Sequence, residues 1–459
     1  MDQINAWLSD VAGVVWGWPL LILLLGTHLF LTVRLGFIQR YMGRAIRISL
    51  RRSSEGAGDI SQFGALTTAL AATIGTGNII GVAGAIVAGG PGAVLWMWLT
   101  GVFGIATKYG EALLSVHYRV QMPNGQMAGG PMYVLERGLK ARWLGLVFAA
   151  LTALAAFGIG NMVQANAIAK TVDMTLALGS DHVLARTFLD IPLLRWLVGA
   201  AVTALTALVI LGGIRSIARV CQLLVPFMAV FYMGGCLALL AMHWQTIPDT
   251  IALICTSAFT GQAAIGGFVG AGLREVIRFG VARGLFSNES GLGSAPIVAA
   301  AAQTAHPVRQ ALVSASGTFW DTVVICAITG IVLVNGGQWM HVTDKELLTS
   351  QTFGAFGSIG PIVLNVGLLT FVFSTILGWS YYGEKAVEYI FGTRAVRWYR
   401  YLWVAAVLVG ATVQAEAVWN FADVANGCMV VPNVISLVLL SGVAARVTRE
   451  YFAQHPGRM

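Results

Sequence analysis

The sequence has little charge for its length, and this scarcity excludes a soluble protein. Of its 459 residues, 10% are charged and 57% are hydrophobic, and the mean hydropathy is +0.76. A soluble domain carries about 25% charged residues. Proline is also scarce, with 12 residues against 55 glycines, and small residues let transmembrane helices approach each other closely. The composition therefore predicts a tightly packed, all-α polytopic membrane protein.

Cysteine and histidine are few and form no pattern that binds a metal cluster. The five cysteines are scattered through apolar segments without a Cys-x-x-Cys pair, so no disulfide framework is indicated. The seven histidines have no metal-ligand spacing. No acid–base or metal constellation of an enzyme is visible, so we expect neither catalytic residues nor an organic cofactor. The first residues, MDQINAWLSD, also lack the basic region of a cleaved signal peptide.

Hydrophobic runs of spanning length predict eleven transmembrane helices. They lie near 13–36, 62–89, 92–118, 143–172, 194–213, 217–242, 258–282, 307–335, 361–391, 398–414 and 428–446. The segment 285–304 is too short in its apolar part, and too polar at its start, to be predicted as a further span. The first helix (1–36) and the basic loop that follows it (37–61) precede the rest.

The positions of arginine and lysine predict the orientation. The loop after the first helix carries six arginines before its first acid, namely Arg34, Arg40, Arg44, Arg47, Arg51 and Arg52. By the positive-inside rule this loop is cytoplasmic. The N-terminus is then outside and the tail, 447–459, is cytoplasmic. Most other basic loop residues, Arg283 among them, fall in predicted inner segments. The net charge of +8 thus reflects cytoplasmic loops, and no nucleic-acid partner is expected.

One apolar stretch, 67–92, is long enough to cross a bilayer but is interrupted in its middle by Gly75-Thr76-Gly77-Asn78. Two glycines in three positions cost about 1 kcal/mol each in a helix interior. Interrupted backbone in a membrane is tolerated only where protein, water or a ligand satisfies it. We interpret the interruption as a binding site in a discontinuous helix. The alternatives are close helix packing through Gly77 and Gly81, and a nucleotide-binding glycine loop, which lacks strand context and a basic partner.

The predicted helix 258–282 contains a second glycine-rich stretch, GQAAIGGFVG, at 261–270. Five helices begin at each interruption, over 62–242 and 258–446, and because five is odd the two halves enter the membrane in opposite senses. Paired interrupted helices in inverted halves indicate the midplane site of a secondary transporter. An ion channel would instead need a continuous polar pore or a repeated filter.

Several motifs together resemble the alanine/glycine:cation symporter family of bacterial and archaeal sodium-coupled amino-acid transporters. They are ATIGTGNIIGVAGAI (72–86), GGPMYVLERGL (129–139), NMVQAN (161–166), GVARGLFSNESGLGSAP (280–296) and FSTILGWSYYGEKA (373–386). The resemblance implies a leucine-transporter-type fold, a 5+5 inverted repeat that here follows one extra helix. It also implies uptake of a small neutral amino acid, alanine or glycine, with Na⁺ across the bacterial inner membrane. A proton-coupled or exchanging transporter of the same fold is the alternative.

A zwitterionic substrate needs donors for its carboxylate and acceptors for its ammonium group. The amides of Thr76 and Gly77, freed by the interruption, can serve as donors at a helix N-terminus. The side-chain carbonyl of Gln164 can accept from the ammonium group, unless Gln164 only joins helices. Three further residues are expected to supply backbone carbonyls and an apolar lid, namely Gly266, Gly267 and Phe268. Trp379 would wall the pocket, or lie at the membrane interface.

Two cation sites are expected. The GTGN turn is similar to that of sodium-coupled neurotransmitter-type transporters, and this likeness implies that Asn78 and the Thr73 carbonyl face one cation. It places the carbonyls of Ala71 and Ile74 at a second. The carbonyl of Phe371 and the hydroxyls of Ser374 and Thr375 would complete a five-oxygen site there, with ordinary back-bonding of the hydroxyls to their helix as the alternative.

Charged residues inside predicted spans are functional candidates. Asp321 has no obvious local partner, so it can bind a cation, carry a proton or pair with an arginine. Lys108 and Glu111 are three residues apart on one helix. We expect these two to pair with each other.

Overall fold

The computed structural model describes residues 2–50, 56–176, 182–260, 272–413 and 416–455, and helices make up most of it. The first eleven helices are α1 (Asp2–Val15), α2 (Trp18–Arg34), α3 (Met42–Ser49), α4 (Gln62–Thr73), α5 (Ile80–Gly89), α6 (Ala93–His117), α7 (Pro131–Tyr133), α8 (Arg142–Ala155), α9 (Val163–Leu176), α10 (Leu193–Ile210) and α11 (Gly213–Met242).

The remaining helices follow the same pattern of long elements joined by short connections. They are α12 (Ile247–Thr260), α13 (Leu273–Asn288), α14 (Pro296–Ala299), α15 (Pro307–Thr318), α16 (Ala327–Asn335), α17 (Lys345–Gly354), α18 (Ile359–Phe391), α19 (Arg394–Thr412), α20 (Glu416–Leu439) and α21 (Ser441–Gln454). Two short antiparallel hairpins pair β1 (Val120–Gln121) with β2 (Met127–Ala128), and β3 (Thr187–Phe188) with β4 (Ile191–Pro192).

Wider π-helical turns continue two of the long helices. Such a turn over Ala156–Met162 joins α8 to α9, and another over Phe319–Cys326 joins α15 to α16. A π-helical turn leaves an extra residue in the helical ladder and is found most often at functional sites. Both turns contain or adjoin residues of the site described below.

Seven helical runs of the described chain are long and apolar enough to cross a membrane. They are Asn5–Arg34, Arg142–Leu176, Leu193–Ile210, Gly213–Met242, Pro307–Asn335, Ile359–Phe391 and Val418–Leu439. Each corresponds to one of the eleven helices predicted from the sequence. The other predicted spans correspond to α6, to α19 and to two helices that are interrupted.

The first interruption lies where the sequence predicts it. The helix α4 ends at Thr73, a single 3₁₀ turn covers Thr76–Asn78, and α5 begins at Ile80. The hydroxyl of Ser61 accepts a hydrogen bond from the Gly64 amide and so caps the N-terminus of α4. We call the segment 74–79 the first break.

The predicted end of the glycine-interrupted span 258–282 is wrong. The helix α12 ends at Thr260, and α13 runs from Leu273 to Asn288, beyond the predicted end. The glycine-rich stretch 261–270 lies outside the described residues. The interruption that the structure describes comes later, at 289–295, between α13 and α14; we call it the second break.

Three residues with positive φ explain why the helix stops at the second break. Glu289 has φ 54°, Gly291 φ 93° and Gly293 φ 84°. Right-handed helix requires negative φ, so these residues cannot continue it. Glycine adopts positive φ at little cost, and the two glycines make the reversal possible. Arg283 was predicted to lie in a loop after this span, but it lies within α13, which continues to Asn288.

The chain before α4 is joined to the chain after α14. Ile60 forms a parallel bridge with Ala302, and the Gln303 amide donates to the Ile60 carbonyl at 2.7 Å. The guanidinium of Arg119 donates to the carbonyls of Ala300 and Ala302 and to that of Ala57 on the other segment. The segment 57–60, before α4, and the segment 300–303, after α14, therefore form one hydrogen-bonded unit.

Gly58→Ala should destabilise this unit. A Cβ at Gly58 would overlap the backbone of Ala302 and Gln303, and overpacking against backbone costs roughly 1–3 kcal/mol. We expect a lower unfolding midpoint in detergent, followed by tryptophan fluorescence. Gly43→Ala is the matched control, because a Cβ there has no neighbour within 4 Å. Equal midpoints for the two variants would contradict the described contact.

Candidate functional site

A small cavity of about 20 Å³ lies beside the first break. The elements around it are the first break, the second break, the α8–α9 helix and α18. Its lining comprises Ala72, Thr73, Gly75, Thr76, Gly77, Ile159, Gln164, Phe286, Glu289, Thr375, Trp379 and Asn426. Of the residues predicted to contact the substrate, Thr76, Gly77, Gln164 and Trp379 are brought together here.

Gln164 presents an unused acceptor to this cavity. Its Nε2 donates to the Ile159 carbonyl at 2.9 Å, which the π-helical turn leaves accessible. Its Oε1 is buried and has no hydrogen-bond partner in the described part of the chain. A buried acceptor without a donor is unfavourable, so a ligand that donates there would be stabilised. The neighbouring Asn161 instead donates to the Trp403 carbonyl and joins two helices.

Asn78 closes the first break and extends from it to a carboxylate. Its Oδ1 accepts from the Gly75 amide at 2.9 Å, and its Nδ2 donates to Asp321 Oδ1 at 2.7 Å. Thr73, the other residue predicted for this cation, lines the cavity at the end of α4. Asn78 is therefore a fully buried polar side chain within the first break.

Asp321 is the centre of a buried polar cluster rather than an isolated charge. Besides Asn78, its carboxylate accepts from Ser287 at 2.9 Å and from Thr322 at 2.7 Å. Ser287 lies in the last turn of α13, immediately before the second break. The cluster thus joins both interrupted helices to the π-helical turn 319–326. A carboxylate with several oxygen neighbours can accept a cation.

The five oxygen atoms predicted for the second cation lie together. Ser374 Oγ donates to the carbonyls of Ala71 at 3.2 Å and Phe371 at 2.8 Å. Thr375 Oγ1 donates to those of Ile74 at 3.2 Å and Phe371 at 3.0 Å. The bonds to Phe371 are the back-bonding that the alternative interpretation expects. The bonds to Ala71 and Ile74 cross from α18 to the end of α4, and they bring the oxygens of two elements together.

Three predicted substrate residues, Gly266, Gly267 and Phe268, lie outside the described residues. The aromatic ring that the structure places against the first break is Phe286, in α13. A Cβ at Gly77 would lie 3.6 Å from this ring, an ordinary contact, whereas one at Gly75 would lie 2.7 Å from Thr375 Oγ1. Gly75 therefore has the closer packing of the two glycines.

Glu289 is a pocket residue that sequence reasoning did not single out. It is 5% exposed, lines the cavity and accepts from Trp379 Nε1 at 3.2 Å. Trp379 itself is 1% exposed, in the interior of the bundle. The available signal was the motif GLFSNESGLGSAP, in which an acid, an amide and hydroxyls surround two glycines. Such a composition suits an interrupted helix better than it suits a loop.

The expected pair of Lys108 with Glu111 is not formed. Glu111 Oε1 accepts from the amides of Gly291 at 3.0 Å and Gly293 at 3.1 Å, and from Asn433 Nδ2 at 2.7 Å. Lys108 is 3% exposed, and its Nζ has no hydrogen-bond partner among the described residues. The carboxylate of Glu111 instead accepts hydrogen bonds from backbone amides that the second break leaves without helical partners. The spacing of residues along one helix does not reveal that these distant amides need an acceptor.

Comparison with known proteins gives matches over nearly the whole chain. Residues 1–458 match the model of the sodium:alanine symporter family. An uncharacterized transporter of Haemophilus influenzae is 50% identical, over 98% of this chain and 96% of its own. The sodium/alanine symporter AgcS of Methanococcus maripaludis is 49% identical, over 98% of each chain.

A solved structure matches in fold. The crystal structure of MhsT in complex with L-phenylalanine superposes with a TM-score of 0.58 at 14% identity, over 85% of this chain and 98% of that one. MhsT is a transporter of the leucine-transporter fold. At this level of identity the match concerns the fold alone.

Proposed function

The chain belongs to the sodium:alanine symporter family, and we propose that it carries a small neutral amino acid into the cell together with Na⁺. Membership makes it a multi-pass membrane transport protein and a symporter rather than an enzyme. The observation that carries the proposal for Na⁺ is the group of five oxygens shared by α4 and α18. The identity of the amino acid is proposed from the cavity.

The five oxygens have the chemistry of an Na⁺ site. Carbonyls released by an unwound helix are the usual Na⁺ ligands in transporters with broken helices. A hydroxyl can rotate its hydrogen away and present a lone pair to a cation. Ser374 and Thr375 would then coordinate Na⁺ together with the carbonyls of Ala71, Ile74 and Phe371. Because these atoms come from two elements, the ion would hold α4 and α18 together.

A second cation is proposed beside Asn78, where the buried cluster adds a carboxylate to the predicted ligands. Asp321 lies within hydrogen-bond distance of Asn78 and Ser287. With the Thr73 carbonyl, these groups would supply oxygens from both breaks. The negative charge of Asp321 would favour a cation there over a neutral ligand. An ion at this position would join the two interrupted helices.

The substrate is proposed to bind in the cavity between these two ions. The unused Gln164 Oε1 would accept from its ammonium group, and the amides of Thr76 and Gly77 would donate to its carboxylate. The rings of Phe286 and Trp379, which line the cavity, favour a small side chain, as in alanine or glycine. Gly266, Gly267 and Phe268 stay in the proposal as predicted contacts.

The proposed architecture has eleven spans, with one helix before a 5+5 inverted repeat. The hydrogen-bonded unit of 57–60 with 300–303 supports the repeat, because it joins the chain before the first interrupted helix to the chain after the second. In this proposal the first repeat spans 62–242, and the second spans 258–446 and contains the second break. The N-terminus lies outside and the C-terminus lies in the cytoplasm of a bacterial cell, with the protein in its inner membrane.

Uptake of labelled L-alanine into proteoliposomes tests the function. We expect accumulation with an inward Na⁺ gradient and none with K⁺ in its place. A pH gradient alone should drive no uptake, and preloaded unlabelled alanine should not be needed. Accumulation driven by the pH gradient, or only by exchange, would replace the proposal by a proton-coupled or exchanging transporter. Glycine and other small amino acids, added as competitors, would identify the preferred substrate.

Gln164→Leu should weaken substrate binding. The leucine keeps a similar volume but removes the acceptor, and a hydrogen bond to a charged group is worth about 1.5–3 kcal/mol. We expect affinity to fall roughly ten- to a hundredfold in binding assays at saturating Na⁺. Asn161→Leu, three residues earlier, should lower stability but not affinity, because Asn161 contacts α19. Equal affinity for Gln164→Leu and wild type would assign Gln164 to helix packing.

Thr375→Ala should weaken the coupling to Na⁺. Loss of one ligand lowers Na⁺ affinity, so the apparent substrate affinity should fall at low Na⁺ and recover as Na⁺ is raised. Linkage requires this when two ligands favour the same state. Thr370→Ala is the control, since among the described residues Thr370 hydrogen-bonds to Val366 and Gly367 of its own helix. A wild-type Na⁺ dependence for Thr375→Ala would place the cation elsewhere.

A further inference from the structure

Glu289 begins the second break in a backbone conformation that residues with a side chain rarely adopt. Its φ is 54°, in the left-handed region. A residue other than glycine stays in this region only where its surroundings hold it. Its side chain points into the protein and lines the cavity. The contacts of the carboxylate therefore add to the backbone hydrogen bonds of Glu289, with the Leu285 carbonyl and the Leu292 amide, in holding the conformation.

Both carboxylate oxygens of Glu289 receive a hydrogen bond from the protein. Oε1 accepts from the indole Nε1 of Trp379 at 3.2 Å, and Oε2 accepts from Ser294 Oγ at 2.5 Å. Hydrogen bonds to a carboxylate are stronger than those between neutral groups. The bond to Trp379 joins the second break to α18, and the bond to Ser294 spans the break itself. Glu289 thus fixes the indole relative to the break.

Besides its contact with Glu289, the side chain of Trp379 packs directly against the backbone at Gly160. A Cβ at Gly160 would overlap the Cβ and the indole of Trp379, so only glycine leaves room for this side chain. Gly160 lies in the π-helical turn 156–162, one turn before Gln164. The ring of Tyr382 lies edge-on to the indole, with centroids 5.4 Å apart. The indole therefore has one position, enclosed on three sides.

We propose that Glu289 is a positioning residue that sets the largest substrate side chain the pocket accepts. It does so by holding Trp379 against Gly160, an arrangement we call the Trp379 clamp. Trp379 lies one helical turn after Thr375 and lines the same cavity as Gln164. Its ring therefore faces the space left for the substrate side chain. This inference rests on the proposed function, because it concerns the selectivity of that same site.

The clamp makes a different prediction from a direct contact between Glu289 and the substrate ammonium group. A direct contact needs the negative charge, so Glu289→Gln would abolish binding of every amino acid alike. The clamp needs an acceptor for the indole N–H, which a glutamine carbonyl also supplies. Removing the acceptor altogether frees the indole to turn, and the cavity then admits larger side chains.

The test compares leucine and alanine as inhibitors of labelled alanine uptake in proteoliposomes. Glu289→Ala should improve the leucine-to-alanine affinity ratio by at least about tenfold, the scale of discrimination by pocket size. Trp379→Phe, which keeps a ring but deletes the donor, should shift the ratio in the same direction. The double variant should shift it no further than the larger single effect, because the two residues act through one contact. Glu289→Gln should keep the wild-type ratio within about threefold, and Thr370→Ala serves as the control.

The outcomes separate the two proposals. An unchanged ratio in Trp379→Phe and Glu289→Ala would overturn the clamp. Equal loss of all substrates in Glu289→Gln, with no change of ratio, would overturn it in favour of a direct ammonium contact. If Glu289→Ala does not fold, the leucine-to-alanine affinity ratio is compared for the other two variants. The clamp then requires a shifted ratio in Trp379→Phe and a wild-type ratio in Glu289→Gln, and any other result overturns it. No Na⁺-driven uptake by the wild-type protein would instead overturn the proposed function, and the clamp with it.

Discussion

The structure depends on satisfying the backbone that the second break leaves without helical partners. In a membrane interior each unpaired amide or carbonyl costs several kcal/mol, roughly. The partners come from two side chains of α6, Glu111 and Ser115, and from Arg119 just after its end; they follow one another at four-residue intervals. Glu111 accepts from two amides of the break, Ser115 donates to the Pro296 carbonyl, and Arg119 donates to two carbonyls after α14. Because most of these partners are side chains of α6, this helix largely determines where the broken helix can lie, together with Asn433 of α20, which donates to the Gly291 carbonyl.

The first break is satisfied in another way, and this difference bears on mechanism. Asn78, inside the break, caps the Gly75 amide and also reaches Asp321, which in turn binds Ser287 beside the second break. The two breaks therefore share one polar cluster at their centre and one hydrogen-bonded unit at their outer ends. Movement of either interrupted helix must break contacts with the other or carry it along. In the proposed function, ions bound at the shared cluster and at α18 would stabilise the joined arrangement.

The sequence predicts a feature well where the residues that form it lie close together in the chain. It does not predict a feature whose hydrogen-bond partners lie far away in the chain. The GTGN interruption, the hydroxyls of Ser374 and Thr375 and the acceptor Gln164 were all visible, since a polar residue in an apolar span is conspicuous. The break at 289–295 was not predicted, because glycine content was taken as the signal of an interruption; the interruption predicted at 261–270 lies outside the described residues. The described break is instead made by Glu289 with two glycines, and it is tolerated because Glu111 and Asn433 lie beside it. Those partners are more than a hundred residues away in the chain, so no local pattern contains them. Arg283 was assigned to a loop because the predicted span ended at 282, whereas α13 continues to Asn288.

The charges around the second break give a physical reason for coupling to a cation. Glu111, Glu289 and Asp321 are all buried, and Lys108, also buried, acts electrostatically on all three. Lys108 donates to none of them in the described structure, so its ammonium group compensates the carboxylates only from a distance. Burial of a carboxylate without a paired cation is unfavourable in a low-dielectric interior, and a zwitterionic amino acid brings no net charge to offset it. In the proposed function, a cation beside Asp321, where the two breaks meet, would supply that charge. Occupation by the amino acid and by the cation would then favour the same joined arrangement of the two breaks, which is the thermodynamic requirement for symport.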